Sequence, residues 1–411
     1  VEVKSFLTMM LGAANPASFG KDVQVRTVLD SAVLRADALK NRPELEREIR
    51  EIIGGTYLAL GEFELAETQF RRDLAIAQAA APRGSRATAG ALDRVSTALD
   101  FQGHFGAADS VLTISTALFD RFGYADETAR ADHLDLRGRI LVRLGKMAEA
   151  EPVIAEVLAI QLATVPVNDS ARSEAYANLG MVRSELGKNE SAESLLIQAV
   201  ASAKRAYGEV HPLVAAVMSP LATVQERAGA NARSDSTFLA TLEMRRTLLG
   251  PEHPEYAWTM FNYADHLLVT GRNAESALWA RKVLDLRGKS LTDAHPAVAT
   301  AMSLLGRALD QMDSLAEGGS WLRKSLEVRT ASLPAGHFLI SSSEGILGAH
   351  LVLTGQYREA EAMLVASEEA LVKARGEDAP IVQDARNRLV KLYQAWQKPA
   401  EAEKWRARLH G

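Results

Sequence analysis

The chain contains no cysteine, which excludes disulfides, thiolate metal sites and a cysteine nucleophile. Aromatic residues are scarce, at 6% against 47% hydrophobic residues overall, so much of the apolar content is alanine and leucine. Those two favour closely packed helices over sheets. Positive charge is not in excess, the formal net charge being −5. Without a domain-wide basic footprint, no nucleic acid partner is expected. Long apolar runs are missing too; a spanning helix needs about 18 such residues, so no membrane insertion is expected. The apolar stretch from Phe6 to Ala14 is short and follows no basic region, unlike a secretory signal. The sequence begins at Val1 rather than Met and reads as a piece of a longer protein. A soluble segment is expected, and the lack of cysteine does not fix whether it is cytoplasmic or extracytoplasmic.

What is present is a period. Gly61, Gly103, Gly145, Gly187, Gly229 and Gly271 are each 42 residues apart, and the series continues through Asp313, Gly355 and Gln397. Five residues after each runs a second series: Ala66, Ala108, Ala150, Ala192, Ser234, Ser276, Gly318, Ala360 and Ala402. Seven residues before each runs a third: Gly54, Ser96, Gly138, Gly180, Ala222, Ala264, Gly306, Gly348 and Val390. Two antiparallel helices approach closely only where side chains are small. The middle glycine ends the first helix, because it takes the left-handed conformation at low cost. Apolar residues such as Tyr57, Leu65, Phe70 and Leu74 recur between the series at helical spacing. Each copy is therefore a helix–turn–helix hairpin that buries its apolar face only against its neighbours.

A small residue, glycine seven on, alanine five further and a large apolar residue four beyond resembles the tetratricopeptide pattern. The linkers Gly208 to Pro212, Gly250 to Pro254, His295-Pro296, His337 and Gly376 to Pro380 narrow the resemblance. With the stretch His253 to Ala264, they are similar to the 42-residue subtype found in kinesin light chains and many bacterial proteins. The resemblance covers residues 44–409. It implies an all-α fold, a right-handed superhelical solenoid. The expected organisation is an N-terminal helical cap or degenerate repeat over residues 1–42, then nine tandem 42-residue repeats over 43–411.

At the N-terminus, Gly12 lies 42 residues before Gly54, so a degenerate copy is expected to begin near Val3. Asn15-Pro16 breaks it, and Lys21 to Lys40 read as one amphipathic helix. The string Phe6-Leu7, Asn15-Pro16, Gly20, Asp22 and Val28 to Asp30 resembles the segment before the repeats of some bacterial multidomain serine/threonine kinases. That implies a sensor or docking arm of such a receptor. The kinase part itself is absent, with no HRD, DFG or glycine-rich phosphate loop. In the seventh copy Gly318 and Gly319 stand inside a helix, each costing about 1 kcal/mol relative to alanine. They suggest a soft joint near residues 312–320, or simply room for Trp321 or another neighbour.

Catalytic chemistry is not evident. His211, His253, His295 and His337 share one phase of the repeat. A catalytic centre is needed once and a packing or loop-bonding role in every copy, so these four read as structural. The proline after three of them suits a first helical turn, where its missing N–H is harmless. His266 and His350 read as helix-face residues. No HExxH motif occurs, and Gly288-Lys289-Ser290 lacks the upstream glycine of a phosphate loop, Val283 standing there. Asp132 and Asp135 lie on one helix face and read as a solvated pair. The chain is expected not to be an enzyme and to need no cofactor or metal.

The resemblance places the first helix of each hairpin along a concave groove that takes a protein or peptide. With the small residue set as position eight, positions two, five, six, nine, twelve and thirteen face that groove. Residues there vary from copy to copy while the framework repeats. Asn178 and Asn262 match family positions where an amide bonds an extended backbone, for which an amide suits because it both donates and accepts. Arg94, Arg139, Arg143, Arg227 and Arg307 are expected on the same face with Asp135, four of these arginines being able to take carboxylates. Trp258 and Phe261 offer an aromatic contact. Each has a bland alternative: the arginines pair internally and Trp258 packs between copies. A carboxylate clamp for a free C-terminus is not expected, because position two carries Glu48, Gly90, Asp132, Glu174, Ala216, Trp258, Thr300, Ser342 and Asp384. A spacer without a groove ligand is the remaining alternative.

Overall fold

A computed structural model describes residues 25–164, 166–290, 295–377 and 379–409. The possible copy near Val3, the Asn15-Pro16 break and most of the kinase-linker resemblance fall outside them. Among the described residues the chain is all-α, an α-helical repeat solenoid. Helix α1 spans Val25–Ala36 and leads into a short 3-10 turn, Asp37–Leu39, so the expected single helix to Lys40 tightens at its end. Paired helices follow. The first of each pair, the A helices, are α2 (Pro43–Ala59), α4 (Arg86–Phe101), α6 (Glu127–Arg143), α8 (Asp169–Glu185), α10 (Pro212–Arg227), α12 (Pro254–Val269), α14 (Pro296–Asp310), α16 (Phe338–Leu353) and α18 (Pro380–Ala395). Their partners, the B helices, are α3 (Phe63–Ala80), α5 (Phe105–Phe122), α7 (Met147–Ala163), α9 (Asn189–Tyr207), α11 (Asn231–Leu249), α13 (Asn273–Ser290), α15 (Leu315–Ser332), α17 (Tyr357–Arg375) and α19 (Pro399–Ala407). The chain divides into two compact units, residues 1–202 and 203–411.

The turn between A and B helices follows from backbone chemistry. The glycines of the 42-residue series have φ between 74° and 80°, the region open mainly to glycine. Asp313 and Gln397, which replace glycine in that series, adopt it as well, at 56° and 59°. For a residue with a Cβ this costs roughly 1–2 kcal/mol, so the turn geometry is imposed by the packed helices.

The series seven residues earlier has a steric reason. At Gly138, Gly180, Gly306 and Gly348 an added Cβ would lie 2.5, 2.9, 2.7 and 2.8 Å from Ile154, Leu196, Leu322 and Leu364 respectively. Gly54 meets the Phe70 ring in the same way. In every case the intruding residue is the large apolar one four beyond the alanine series, so the B helix inserts its largest side chain where the A helix has none. Where that alanine is a serine, the hydroxyl bonds the helix opposite: Ser234 donates to the Ala222 carbonyl at 2.8 Å and Ser276 to that of Ala264 at 2.7 Å. Gly54 and Gly55 make a natural control, since nothing lies within 4 Å of a Cβ at Gly55. Gly55→Ala should stabilise the protein by about 1 kcal/mol through helix propensity. Gly54→Ala should destabilise it by about 1 kcal/mol, because overpacking costs roughly 1–3 kcal/mol and outweighs that gain. Urea denaturation midpoints of the two variants should move in opposite directions.

Helix starts differ between the units. In the first, Ser85, Asp126 and Asn168 accept from the backbone N–H three residues on, as N-caps do. In the second, the four in-phase histidines do this work. Nδ1 of His211, His253, His295 and His337 accepts from the N–H of Leu213, Glu255, Ala297 and Leu339 at 3.2, 3.2, 3.1 and 3.2 Å. Their repetition therefore marks a cap.

Candidate groove and its side chains

Within each unit the A helices approach one another as well as their B partners: α4 meets α6, and α10, α12, α14, α16 and α18 run as a row of neighbours. The residues expected to face a groove lie along these rows. Many of their polar groups are already engaged.

In the first unit Arg94 bonds Asp73 at 2.7 Å and lies 3.3 Å from Glu51. Asp73 is fully buried and also accepts from Arg47 at 2.7 Å, so Arg94 holds a buried charge in place. Arg139 donates to Asp100 at 2.9 Å and more weakly to Asp135 at 3.5 Å. Asn178 reaches Asp135 at 3.5 Å. Arg143 is exposed, its guanidinium 6.0 Å from the centre of the Phe105 ring. Of the expected solvated pair, Asp132 is exposed and Asp135 half-buried. Burial pushes both carboxyls above the usual range; Arg139 and Asn178 partly offset this at Asp135, and the Asp135 charge adds to it at Asp132. Glu174 is pushed the same way by partial burial and by Asp135.

The second unit presents aromatic and polar side chains on the same rows. Trp258 is 49% exposed and stacks on Phe261, ring centres 5.6 Å apart. Phe261 is held from below by Arg287, 5.8 Å from its centre. Asn262 is half-buried, and its side chain has no hydrogen-bond partner among the described residues. Arg227 is exposed at the end of α10. Arg307 pairs with Asp265 at 3.1 Å, both about 40% exposed, a contact that solvent screens strongly.

Position twelve proves to be a joint between A helices. Asp100, Glu226 and Asp310 occupy it and accept from the next A helix: from Arg139, from His266 Nδ1 at 2.7 Å, and from His350 Nδ1 at 2.8 Å. His133 makes a comparable contact with Asp93 at 3.0 Å and with Thr116 at 3.1 Å. His266 and His350 are 1% and 3% exposed; they are buried joints, not helix-face residues. Asp310 is buried too, and burial raises its pKa while the His350 bond opposes the rise. Gly318 and Gly319 make room for this pair: a Cβ on the first would strike Asp310 and on the second the His350 ring. The helix runs unbroken through both.

A second repeated device lies in the B helices. Arg245, Arg287 and Arg329 are 42 residues apart and buried. Each donates to a backbone carbonyl ten residues on, in the first turn of the next A helix: Glu255, Ala297 and Leu339. Burial lowers the pKa of all three. Among the described residues no group of three or more His, Asp or Glu could hold a metal ion, and no helix is long and apolar enough to cross a membrane.

The tetratricopeptide-repeat family model matches residues 171–238 and 214–289. Residues 171–289 are thus similar to tetratricopeptide repeats. Solved structures extend the likeness of fold along more of the repeat array. The apo form of the quorum sensor NprR from B. thuringiensis is 10% identical, covering 87% of this chain and 96% of its own, with a TM-score of 0.56. A Rap protein complexed with Competence and Sporulation Factor is 11% identical, covering 79% and 97%, with a TM-score of 0.50. Nearly identical repeats of a candidate kinesin light chain from Podosopora anserina are 21% identical over 51% of this chain and 98% of that one, with a TM-score of 0.43. No curated protein matches the chain.

Proposed function

We propose that the chain is a tetratricopeptide repeat protein that binds an extended segment of another protein along its A-helix face, with residues 43–411 acting as nine tandem hairpins behind a cap over 1–42. The observation that carries the reading is the group on α12: an exposed Trp258 stacked on Phe261, one residue from an amide without a partner, Asn262. An amide with no intrachain partner can both donate to and accept from a ligand backbone. An exposed tryptophan braced by a second ring offers large contact area at little cost in side-chain entropy. A structure of the same fold, the Rap protein, is solved with a bound factor, which agrees with the reading. In the first unit Arg143 is the cation best placed to contribute, since Arg94 and Arg139 already serve buried acids.

The test is a capture experiment from lysate of the source organism with the intact chain and with Trp258→Ala/Asn262→Ala, each verified as folded by circular dichroism. Partners retained by the intact chain and reduced at least about tenfold by the variant would support the groove, a hot-spot aromatic being worth about 2 kcal/mol or more. Partners held equally by both would move the site off α12, and the absence of any partner would leave a spacer.

A further inference from the structure

Four A helices of the second unit start on a titratable acceptor. Nδ1 of His211, His253, His295 and His337 accepts a backbone N–H at 3.1 to 3.2 Å. A ring nitrogen accepts only through its lone pair, so each bond requires a neutral ring carrying its proton on Nε2. A second proton would occupy Nδ1, abolish the cap and set a positive charge at a helix N-terminus, where the dipole opposes it. The first unit starts helices on Ser85, Asp126 and Asn168. Among these four residue types only histidine ordinarily changes charge between pH 5 and 8.

The surroundings of the rings add to the effect. At three of the starts a buried arginine holds the same residue from its other side. The N–H of Glu255, Ala297 and Leu339 donates to the histidine, and the carbonyl accepts from Arg245, Arg287 and Arg329. A protonated ring would therefore share one backbone residue with a guanidinium. Acids stand nearby, but Glu255 pairs with Arg245 at 2.8 Å, and Glu209, before His211, with Lys204 at 2.6 Å. Glu252, before His253, is exposed. His211 stacks on Tyr207 at the end of α9, ring centres 4.7 Å apart. His337 stacks on Phe338, which Arg375 of α17 approaches at 4.9 Å.

The buried histidines of the same unit respond differently. Nδ1 of His266 and of His350 donates to Glu226 and to Asp310. A second proton there goes to Nε2 and leaves that bond in place. In His266, Nε2 already lies 3.6 Å from Asp235, which Arg272 also holds at 2.6 Å. These joints keep their bonds under the conditions that remove the caps.

We propose that acid frays the starts of α10, α12, α14 and α16 together, making the A-helix face of the second unit pH-sensitive while the helix starts of the first stay closed. The frayed turn takes up the proton that the capped turn excludes. Fraying is therefore favoured as pH falls, and the caps are fully present only above the range in which imidazole titrates. In α12 the loosened turn begins at Pro254 and precedes Trp258 by one turn.

The test is amide-resolved hydrogen exchange on the full chain at pH 8 and pH 5.5, each rate divided by the intrinsic chemical rate at that pH. The amides of Leu213, Glu255, Ala297 and Leu339 should lose protection about fivefold or more at the lower pH, the population change that loss of one N-cap brings. Those of Thr88, Ala129 and Ala171, held by Ser85, Asp126 and Asn168, should keep theirs. The variant His211→Asn/His253→Asn/His295→Asn/His337→Asn should show no acid loss, since asparagine places an untitrated oxygen where Nδ1 stood. If that variant folds poorly, His253→Asn alone should make the Glu255 amide insensitive to acid while the other three still respond. Acid loss equal in both units, no acid loss at the four starts, or a loss that persists at a start given asparagine would overturn the proposal. Side-chain nitrogen spectra at pH 8 should find the proton of the four cap rings on Nε2; finding it on Nδ1 would overturn the proposal as well.

Discussion

Gly319→Ala should destabilise the second unit by about 2–4 kcal/mol, although helix propensity alone predicts a gain of about 1 kcal/mol. The three atoms nearest the added methyl all belong to the His350 ring. That ring cannot step aside, because its Nδ1 is tied to Asp310 at 2.8 Å and the pair is almost fully buried. The cost is thus overpacking, roughly 1–3 kcal/mol, plus a weakened buried hydrogen bond to a carboxylate. His350→Ala lowers stability by itself, since it leaves Asp310 unpaired. In that background the sign reverses, and adding Gly319→Ala should stabilise by up to about 1 kcal/mol. A double-mutant cycle by urea denaturation, read with hydrogen exchange in α15 and α16, measures the coupling. Stabilisation by Gly319→Ala alone would show that the glycines are loose rather than filled.

Replacing Arg329 by methionine should cost about 2–3 kcal/mol. Its Nη1 donates to the Leu339 carbonyl at 3.1 Å and to Ser343 at 2.7 Å, and Nη2 donates to Thr300 at 3.0 Å. The side chain thereby stitches α15 to both flanking A helices. Methionine fills similar volume and relieves the desolvation of the cation, which offsets part of the loss. It leaves the Leu339 carbonyl without this bond, at a cost of about 1–3 kcal/mol if no water replaces it. Arg323→Met, on the exposed side of the same helix, should change stability by less than about 0.5 kcal/mol. Equal midpoints for the two variants would remove the arginine series from the framework.

The hairpin fold was legible because its determinants recur in phase. A glycine that must turn and a glycine that must admit Leu322 or Ile154 leave the same mark every 42 residues. The arginines at 245, 287 and 329 were equally periodic, but a search for small and apolar residues passes over a buried cation. The joints at position twelve were illegible for a different reason. Glu226 and His266, or Asp310 and His350, are 40 residues apart, so each pair sits out of phase with the repeat. The same geometry limits what can be said of a groove from sequence. Phase assigns Arg139 and Asn262 to one face, but only their surroundings distinguish them. Arg139 is taken by Asp100, whereas no described residue satisfies Asn262.

The separations of these contacts bear on how the chain reaches its structure. Caps join residues two or three apart, the B-helix arginines reach ten, and the A-helix joints reach 40. The side-chain hydrogen bond from Asn178 to Asp135 spans 43. Closing loops of that size costs little more entropy than closing a single hairpin. No element has to wait for a distant terminus, so contact order relative to chain length is low and assembly can begin at any hairpin and spread to its neighbours. Excising one whole period between equivalent turns shortens the array while leaving the remaining closures the same length.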